Sequence, residues 1–190
     1  MYIPFSESEQ RHLDFDVSTP HDKHTWMGSS ISWLAYPPLD LKMSPEVRRN
    51  DFMFTTRALH ELTPDANDML PVLLPTVAAE LGDENGATKW LQVSMGGFLK
   101  PPFNVRSETA LNNATHILCV SSGYLENFIY GFTGLRMTDD GLTPVYPPLL
   151  PSELKTLTLK SIVWRGKRME ISVTRDQTGH AKLSQRVLEP

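Results

Sequence analysis

Up to about residue 132, apolar side chains recur every three or four residues, the spacing that predicts amphipathic helices. The first predicted helix begins at Ser44-Pro45, because serine caps a helix and proline suits its first position, and it ends before Thr63-Pro64. Two further helices are predicted over about 70–81 and 83–94, and Pro75 requires the first of these to start late or to kink. The positions that carry these patterns are Val47, Phe54, Ala58, Leu59, Leu62, Leu70, Leu73, Leu74, Val77, Ala78, Leu81, Trp90 and Leu91.

The longest helical pattern runs from Ser107 to about Phe132. Pro101 and Pro102 predict a rigid, extended approach to it, and Ser107 can cap the new helix with its side-chain oxygen. Glu108 would then lie in the first turn, where the positive end of the helix dipole favours a carboxylate. The predicted buried stripe of this helix consists of Leu111, Ala114, Ile117, Leu118, Ser121, Leu125 and Phe128.

After Gly134 the pattern changes to alternation, which predicts strands. Asp140-Gly141 is typical of a hairpin turn, and Arg165-Gly166-Lys167 is predicted to join two strands over about 154–164 and 169–174. The polar tail from Gln177 is expected to be frayed. The sequence therefore predicts an α+β fold, with a helical part over residues 1–132 and a small antiparallel, sandwich-type β unit over residues 133–190.

Composition removes several classes of function. The chain has 190 residues, 40% of them hydrophobic, and its net charge of −4 favours neither a nucleic acid nor an anionic membrane as partner. Cys119 is the only cysteine and lies in an apolar run, so we expect it to be a small buried hydrophobe. His12, His21 and His24 lack the spacing of metal ligands and are expected to be solvated loop residues, so we predict no metal and no cofactor.

The first residues lack a basic segment followed by an apolar core, and no apolar stretch approaches a membrane span. We therefore expect neither a signal peptide nor a transmembrane segment in this chain. The sequence leaves the cellular compartment open.

Polar groups crowd the segment around Glu108. Asn104, Arg106, Asn112 and Asn113 flank it within a short span bounded by apolar runs. Carboxylate, guanidinium and carboxamide groups at such a junction can hydrogen-bond sugar hydroxyls or activate a water molecule. From local chemistry alone two interpretations stay open: a helix-start acid, and a site residue.

Three motifs carry a resemblance to a known family. Pro101-Pro102-Phe103-Asn104-Val105-Arg106-Ser107-Glu108-Thr109, then Gly123-Tyr124-Leu125, then Gly131-Phe132-Thr133-Gly134-Leu135-Arg136 resemble the C-terminal part of glycoside hydrolase family 65. The family contains acid trehalases, α-glucosidases, and kojibiose and maltose phosphorylases. The resemblance runs from about residue 3 to about residue 173, and it implies helices from part of an (α/α)6 barrel followed by the C-terminal β domain.

The resemblance implies a glycosidase site. It places the general base of an inverting hydrolase at Glu108, and we expect Asn104 and Arg106 to bind the substrate. The general acid comes from an earlier barrel segment in the family. Glu126 lies about five turns further along the same predicted helix, roughly 27 Å away, and that distance excludes it as the acid. A family sugar-binding motif is replaced here by Met27-Gly28-Ser29-Ser30, so the resemblance implies neither those sugar contacts nor one particular disaccharide.

Three hypotheses about function follow. The first is the C-terminal part of an inverting α-glucosidase of trehalase type, acting on a small α-linked glucosyl disaccharide. The second is a truncated or degenerate relative with a binding or structural role and no turnover, and the third is an unrelated binding module. The phosphorylases of the family have phosphate-binding residues where this chain has Glu108, which disfavours phosphorolysis. Because a part-barrel leaves apolar faces uncovered, we also expect the isolated chain to self-associate.

Overall fold

The computed structural model describes residues 3–13, 41–62, 71–96, 98–109, 111, 115 and 118–188. Its α-helices are α1 (Pro45–Leu62), α2 (Leu74–Glu80), α3 (Glu84–Met95) and α4 (Leu118–Glu126), and a π-helical turn (Asn127–Gly131) continues α4. Its strands are β1 (Phe5–Ser6), β2 (Arg11–His12), β3 (Leu99–Lys100), β4 (Val105–Arg106), β5 (Leu135–Thr138), β6 (Gly141–Pro144), β7 (Thr156–Trp164), β8 (Lys167–Arg175) and β9 (Ala181–Val187). The predicted α+β class is confirmed, whereas the (α/α)6 barrel stays a prediction.

The starts of the first three helices follow local sequence signals. The Ser44 hydroxyl accepts a hydrogen bond from the Val47 N–H at 3.1 Å, so the predicted cap of α1 is confirmed. In α2, Pro75 lies in the first turn, where its missing N–H costs no helical hydrogen bond; the late start is confirmed. Asp83 caps α3 by accepting from the Gly86 N–H at 2.8 Å.

The predicted helix start at Ser107 is wrong, because α4 begins at Leu118. The backbone N–H of Ser107 donates to the Phe98 carbonyl at 2.8 Å, and Ser107 pairs with Thr115 in an antiparallel bridge. The chain leaves β4 as an extended strand, and pairing with its neighbours outweighs the local preference of serine for a helix cap. Glu108 therefore does not lie in the first turn of a helix.

The buried face of α4 also differs from the prediction. Val120 and Gly123 are buried, whereas Leu118 and Leu125 of the predicted stripe are exposed. Cys119 is exposed as well, which corrects its assignment as a buried hydrophobe. Helix periodicity fixes which side chains share a face, and the packing partners of α4 decide which of its faces is buried.

The C-terminal strands form two antiparallel sheets. β5 and β6 pair as a hairpin in which Thr138 is opposite Gly141, as the Asp140-Gly141 signal predicts. β7, β8 and β9 form a three-stranded sheet in chain order. Arg165 and Gly166 have φ values of 47° and 76°, which is typical of a two-residue type I′ turn between β7 and β8.

The expectation of a frayed tail from Gln177 is wrong, because β9 pairs with β8 from Ala181 to Val187. Ala181 and Leu183 pack against the hydrophobic core, while the exposed face of β9 carries polar side chains. A short polar strand of this kind has little apolar alternation of its own, and its pairing with β8 stabilises it.

A single cluster of buried apolar residues joins the helices to the sheet. It consists of Phe52, Leu74, Val77, Ala78, Ala79, Ala87, Trp90, Leu91, Phe132, Leu150 and Val173. Val173 comes from β8 and Leu150 from the segment before β7, so both parts of the chain contribute to this core. The boundary predicted at residue 132/133 stays a prediction.

Buried charges also join the two parts. The carboxylate of Glu80, whose side chain is 0% exposed, binds the guanidinium groups of Arg48 and Arg136. The ring of Tyr146 lies 5.7 Å from the Arg48 guanidinium carbon and 5.4 Å from that of Arg136. These contacts connect α1 and α2 to β5.

Within the part of the chain that the structure describes, no helix is both long enough and apolar enough to cross a bilayer.

Candidate active site

A short hairpin carries the candidate residues. β3 and β4 pair with Leu99 opposite Arg106 and Lys100 opposite Val105, and residues 101–104 form the turn between them. Asn104 ends this turn with φ of 53°, a left-handed conformation that asparagine tolerates. Its side chain is exposed, so the carboxamide is accessible to a ligand.

Arg106 is buried, with 8% of its surface exposed. Its Nη2 donates to the carbonyl oxygen of Ser94 near the C-terminus of α3. Its guanidinium carbon also lies 4.9 Å from the centroid of the Tyr124 ring in α4, within cation–π range. Burial raises the pKa of Tyr124 and the nearby Arg106 lowers it, with burial the larger effect, so the phenol stays neutral at physiological pH.

Glu108 is half-buried on the extended segment after β4. The Ser107 hydroxyl before it lies 3.1 Å from the Phe98 carbonyl oxygen and 2.7 Å from that of Thr109, two acceptors for a single hydroxyl proton. The residues on both sides of Glu108 are therefore held by hydrogen bonds. Because no helix begins at Ser107, interpreting Glu108 as a helix-start acid is wrong, and its interpretation as a site residue remains.

Asn112, Asn113 and the segment Met27-Gly28-Ser29-Ser30 lie outside the described residues. The roles of Glu108 as general base and of Asn104 and Arg106 as sugar-binding residues stay predictions.

The exclusion of Glu126 as the general acid assumes one continuous helix from Ser107. Since α4 begins at Leu118, that premise is wrong and helix rise gives no distance between the two carboxylates. Burial raises the pKa of Glu126, at the end of α4. It also raises the pKa of Tyr130 one turn later, and the charge of Glu126 adds to that effect.

Sequence reasoning missed the partners of Arg106. Ser94 lies in a predicted helix, and no feature of the sequence indicates that its carbonyl accepts a hydrogen bond from Arg106. Tyr124 lies within the Gly123-Tyr124-Leu125 motif, which was a signal that this ring has a specific role. Both partners are distant in the chain from Arg106, so only the fold identifies them.

The histidines do not form a metal site in the described residues. His12 Nδ1 lies 2.7 Å from Asp51 Oδ2, and the backbone N–H of His12 donates to Asp51 Oδ1 at 2.9 Å. The prediction that His12 is a solvated loop residue is therefore wrong, because both groups bind the Asp51 carboxylate. Burial raises the pKa of Asp51, while its hydrogen bonds to His12 lower it. His21 and His24 lie outside the described residues, and no group of three or more potential metal ligands occurs within them.

Comparison with known proteins identifies the family. Residues 135–188 match the model of the glycosyl hydrolase family 65 C-terminal domain. Residues 135–188 are therefore similar to the C-terminal domain of glycosyl hydrolase family 65. This segment, called the family 65 domain below, comprises β5 to β9. This match, together with the relatives described next, confirms the resemblance to the C-terminal part of this family.

The relatives extend over most of the chain. It is 30% identical over 176 residues, 92% of its length, to the protein-glucosylgalactosylhydroxylysine glucosidase of Danio rerio, of which it covers 26%. It is 26% identical over 134 residues, 70% of its length, to the kojibiose hydrolase of Mucilaginibacter mallensis, of which it covers 19%. The chain thus spans about a quarter or less of the length of these relatives.

A solved structure has the same fold. It is a candidate kojibiose phosphorylase from the human microbiome, with a TM-score of 0.60 and 14% sequence identity, and the match covers 98% of this chain and 27% of that one. The likeness therefore extends through both the helical part and the β sheets of this chain.

Proposed function

We propose that this chain is the C-terminal part of a glycoside hydrolase that releases an α-linked glucosyl group with inversion. The family 65 match, together with relatives named as a glucosidase and a hydrolase over most of the chain, supports a glycosidase-type function. The observation that carries the proposal is the position of Glu108, half-buried on a fixed extended segment directly after the buried Arg106 and Ser107.

In the proposed mechanism the Glu108 carboxylate takes a proton from a water molecule as that water attacks the anomeric carbon. An inverting enzyme also needs a carboxylic acid roughly 6.5–9.5 Å away to protonate the leaving oxygen. We propose that the acid belongs to a barrel segment preceding the residues in this chain. Asn104, exposed at the end of the β3–β4 turn, is positioned to hydrogen-bond a sugar hydroxyl.

The substrate class is a small glucoside with an α-linked terminal glucose. Trehalose was the substrate type expected from sequence, and the names of the relatives favour kojibiose or a glucosylgalactosyl hydroxylysine instead. The departure at Met27-Gly28-Ser29-Ser30 from the family's sugar-binding motif is compatible with a substrate other than trehalose.

The decisive test is the substitution Glu108→Gln in the protein that the complete natural gene encodes. The amide keeps the shape of the side chain but cannot accept the proton, so hydrolysis should fall at least 10²–10⁴-fold, the range roughly expected for a general base. Glucose release from kojibiose, trehalose, maltose and a glucosylgalactosyl hydroxylysine is measured, together with sugar binding by calorimetry, which should change little.

Glu153→Gln is the matched control, because it makes the same chemical change at an exposed carboxylate in the loop before β7. It should hydrolyse at the rate of the unmodified protein. If Glu108→Gln also does so, Glu108 is not the base. If the unmodified protein hydrolyses none of the four sugars, the hypothesis of a non-catalytic relative replaces this proposal.

A further inference from the structure

We infer that Arg106 is a positioning residue that fixes the segment carrying Glu108, and that it does so by closing the C-terminus of α3. This inference rests on the proposed role of Glu108 as general base. The sequence suggested instead that Arg106 binds the substrate. The contacts of its guanidinium favour the positioning role.

The first contact joins Arg106 to a helix end. The last four carbonyl groups of an α-helix lack intrahelical partners and carry the negative end of the helix dipole. Ser94 is the second-last residue of α3, and its carbonyl accepts from Arg106 Nη2. Ser94 is 0% exposed, so this carbonyl would be costly to leave without a donor.

The second contact joins Arg106 to α4. The face of the Tyr124 ring lies 4.9 Å from the guanidinium carbon, and burial keeps water from weakening this attraction. One side chain thus ties β4 to the end of α3 and to the middle of α4. Sugar contacts would have to compete with both of these interactions.

Backbone pairing transmits this restraint to Glu108. Arg106 is opposite Leu99 in the hairpin, Ser107 donates to Phe98, and Ser107 then pairs with Thr115. Glu108 follows directly on this anchored backbone, so its carboxylate is presented by a strand held on both sides. If Arg106 is lost, the strand can move away from α3, and a misplacement of about 1 Å can cost roughly 10²-fold in rate.

The test compares Arg106→Met and Arg106→Lys in the naturally encoded protein. Methionine retains the apolar stem and removes the charge and donors, so kcat should fall roughly 10–100-fold while KM stays within about twofold. Lysine keeps one donor for the Ser94 carbonyl but lacks the planar guanidinium, so kcat should recover in part. Hydrogen exchange of the Ser107 amide should accelerate in Arg106→Met and return toward normal in Arg106→Lys.

Arg168→Met is the matched control, since Arg168 is exposed in β8 and the chemical change is the same. It should alter neither kcat nor the exchange of Ser107. If Arg106→Met does not fold, Tyr124→Leu removes only the ring contact and should lower kcat by a smaller factor, again at constant KM.

A rise in KM at constant kcat would identify Arg106 as a substrate contact and overturn the inference. Unchanged kcat and unchanged exchange in Arg106→Met would overturn it too. If Glu108→Gln remains active, the proposed function fails. Hydrogen exchange of the Ser107 amide then still decides whether Arg106 holds this segment.

Discussion

Asp176 illustrates how local hydrogen bonds alone can perturb a carboxylate. In the turn between β8 and β9, its Oδ1 accepts from the Thr178 hydroxyl at 2.6 Å, the Thr178 N–H at 2.9 Å and the His180 N–H at 3.1 Å. Lys182 Nζ lies 3.2 Å from its Oδ2. The hydrogen bond from the Thr178 hydroxyl is the largest effect, with smaller ones from Lys182 and the backbone, and together they hold the pKa of Asp176 well below its ordinary value of 3.8.

This depressed pKa predicts a pH dependence of stability. A carboxyl group with a lower pKa in the folded state stabilises the fold above its unfolded pKa, and that contribution is lost as the pH falls below 3.8 toward the folded pKa. Asp176→Asn should therefore lower the free energy of unfolding at pH 7 and flatten its decline below about pH 4. Urea unfolding at a series of pH values measures this effect. Asp140→Asn is the control, because it removes an exposed carboxylate from another turn. If its stability curve flattens as much below pH 4, Asp176 is not the source of the pH dependence.

The π-helical turn, Asn127–Gly131, packs unusually close to α2. Asn127 is fully buried. Its side-chain Oδ1 accepts from the Thr76 N–H at 3.1 Å and from the Thr76 hydroxyl at 2.9 Å, and its side-chain Nδ2 donates to the Val72 carbonyl at 2.7 Å. A Cβ on Gly131 would lie 2.5 Å from Thr76 Oγ1 and 3.0 Å from Thr76 Cα.

A close contact with the backbone also accounts for the second glycine of the Gly131-Phe132-Thr133-Gly134-Leu135-Arg136 motif. Gly134 has φ of +69°, and a Cβ there would lie 2.1 Å from the Tyr146 carbonyl oxygen. Both glycines of this family motif are therefore needed for packing, and neither has to touch a substrate.

Gly131→Ala should destabilise the fold by about 1–3 kcal/mol, because the new methyl group meets the backbone of α2. The sign is diagnostic, since replacing glycine by alanine inside an unobstructed helix stabilises it by up to about 1 kcal/mol. Thermal and urea unfolding measure the change. Ser122→Ala, at an exposed position of α4, is the control and should be neutral or slightly stabilising. A Gly131→Ala variant at least as stable as the unmodified chain would show that α2 and the π-helical turn are not in close contact.

The buried network of Glu80, Arg48 and Arg136 connects the helical part with the family 65 domain. Two guanidinium groups share one carboxylate that has no exposed surface, and Tyr146 lies beside both. Such a network contributes little net stability compared with well-packed apolar side chains, but removing one partner leaves uncompensated buried charge. We therefore expect the network to fix the placement of the two parts relative to each other more than to add stability.

Glu80→Gln should therefore lower the free energy of unfolding by about 3–5 kcal/mol, because both arginines keep their charge in a buried site. The combined variant Arg48→Met, Glu80→Leu, Arg136→Met should recover most of this loss. The exposed pair Arg186–Glu170, at 2.9 Å, serves as control, and Glu170→Gln should cost no more than about 1 kcal/mol. Equal effects of Glu80→Gln and Glu170→Gln would contradict the role assigned to the buried network.

The candidate site could be predicted only in part. The motif around Glu108 pointed to the family and to the residues worth testing, because a cluster of polar groups beside two prolines is visible in the sequence. The burial of Arg106 and its contacts with Ser94 and Tyr124 could not be predicted. Those contacts join residues 12 and 18 positions apart in the chain, on different elements.

Local chemistry by itself determined the features whose hydrogen bonds close within a few residues. These are the caps at Ser44 and Asp83, the late start of α2 at Pro75, and the turns at Asp140-Gly141 and Arg165-Gly166. Only the tertiary structure decided whether a helix would begin at Ser107 and whether residues 181–187 would form a strand. Ser107 has a good local reason to cap a helix, but its pairing with Phe98 and Thr115 stabilises the extended backbone instead. The polar β9 has no strong alternation of apolar and polar residues. It forms a strand because its backbone pairs with β8 and because Ala181 and Leu183 pack against the core, and neither contact is visible in the local sequence.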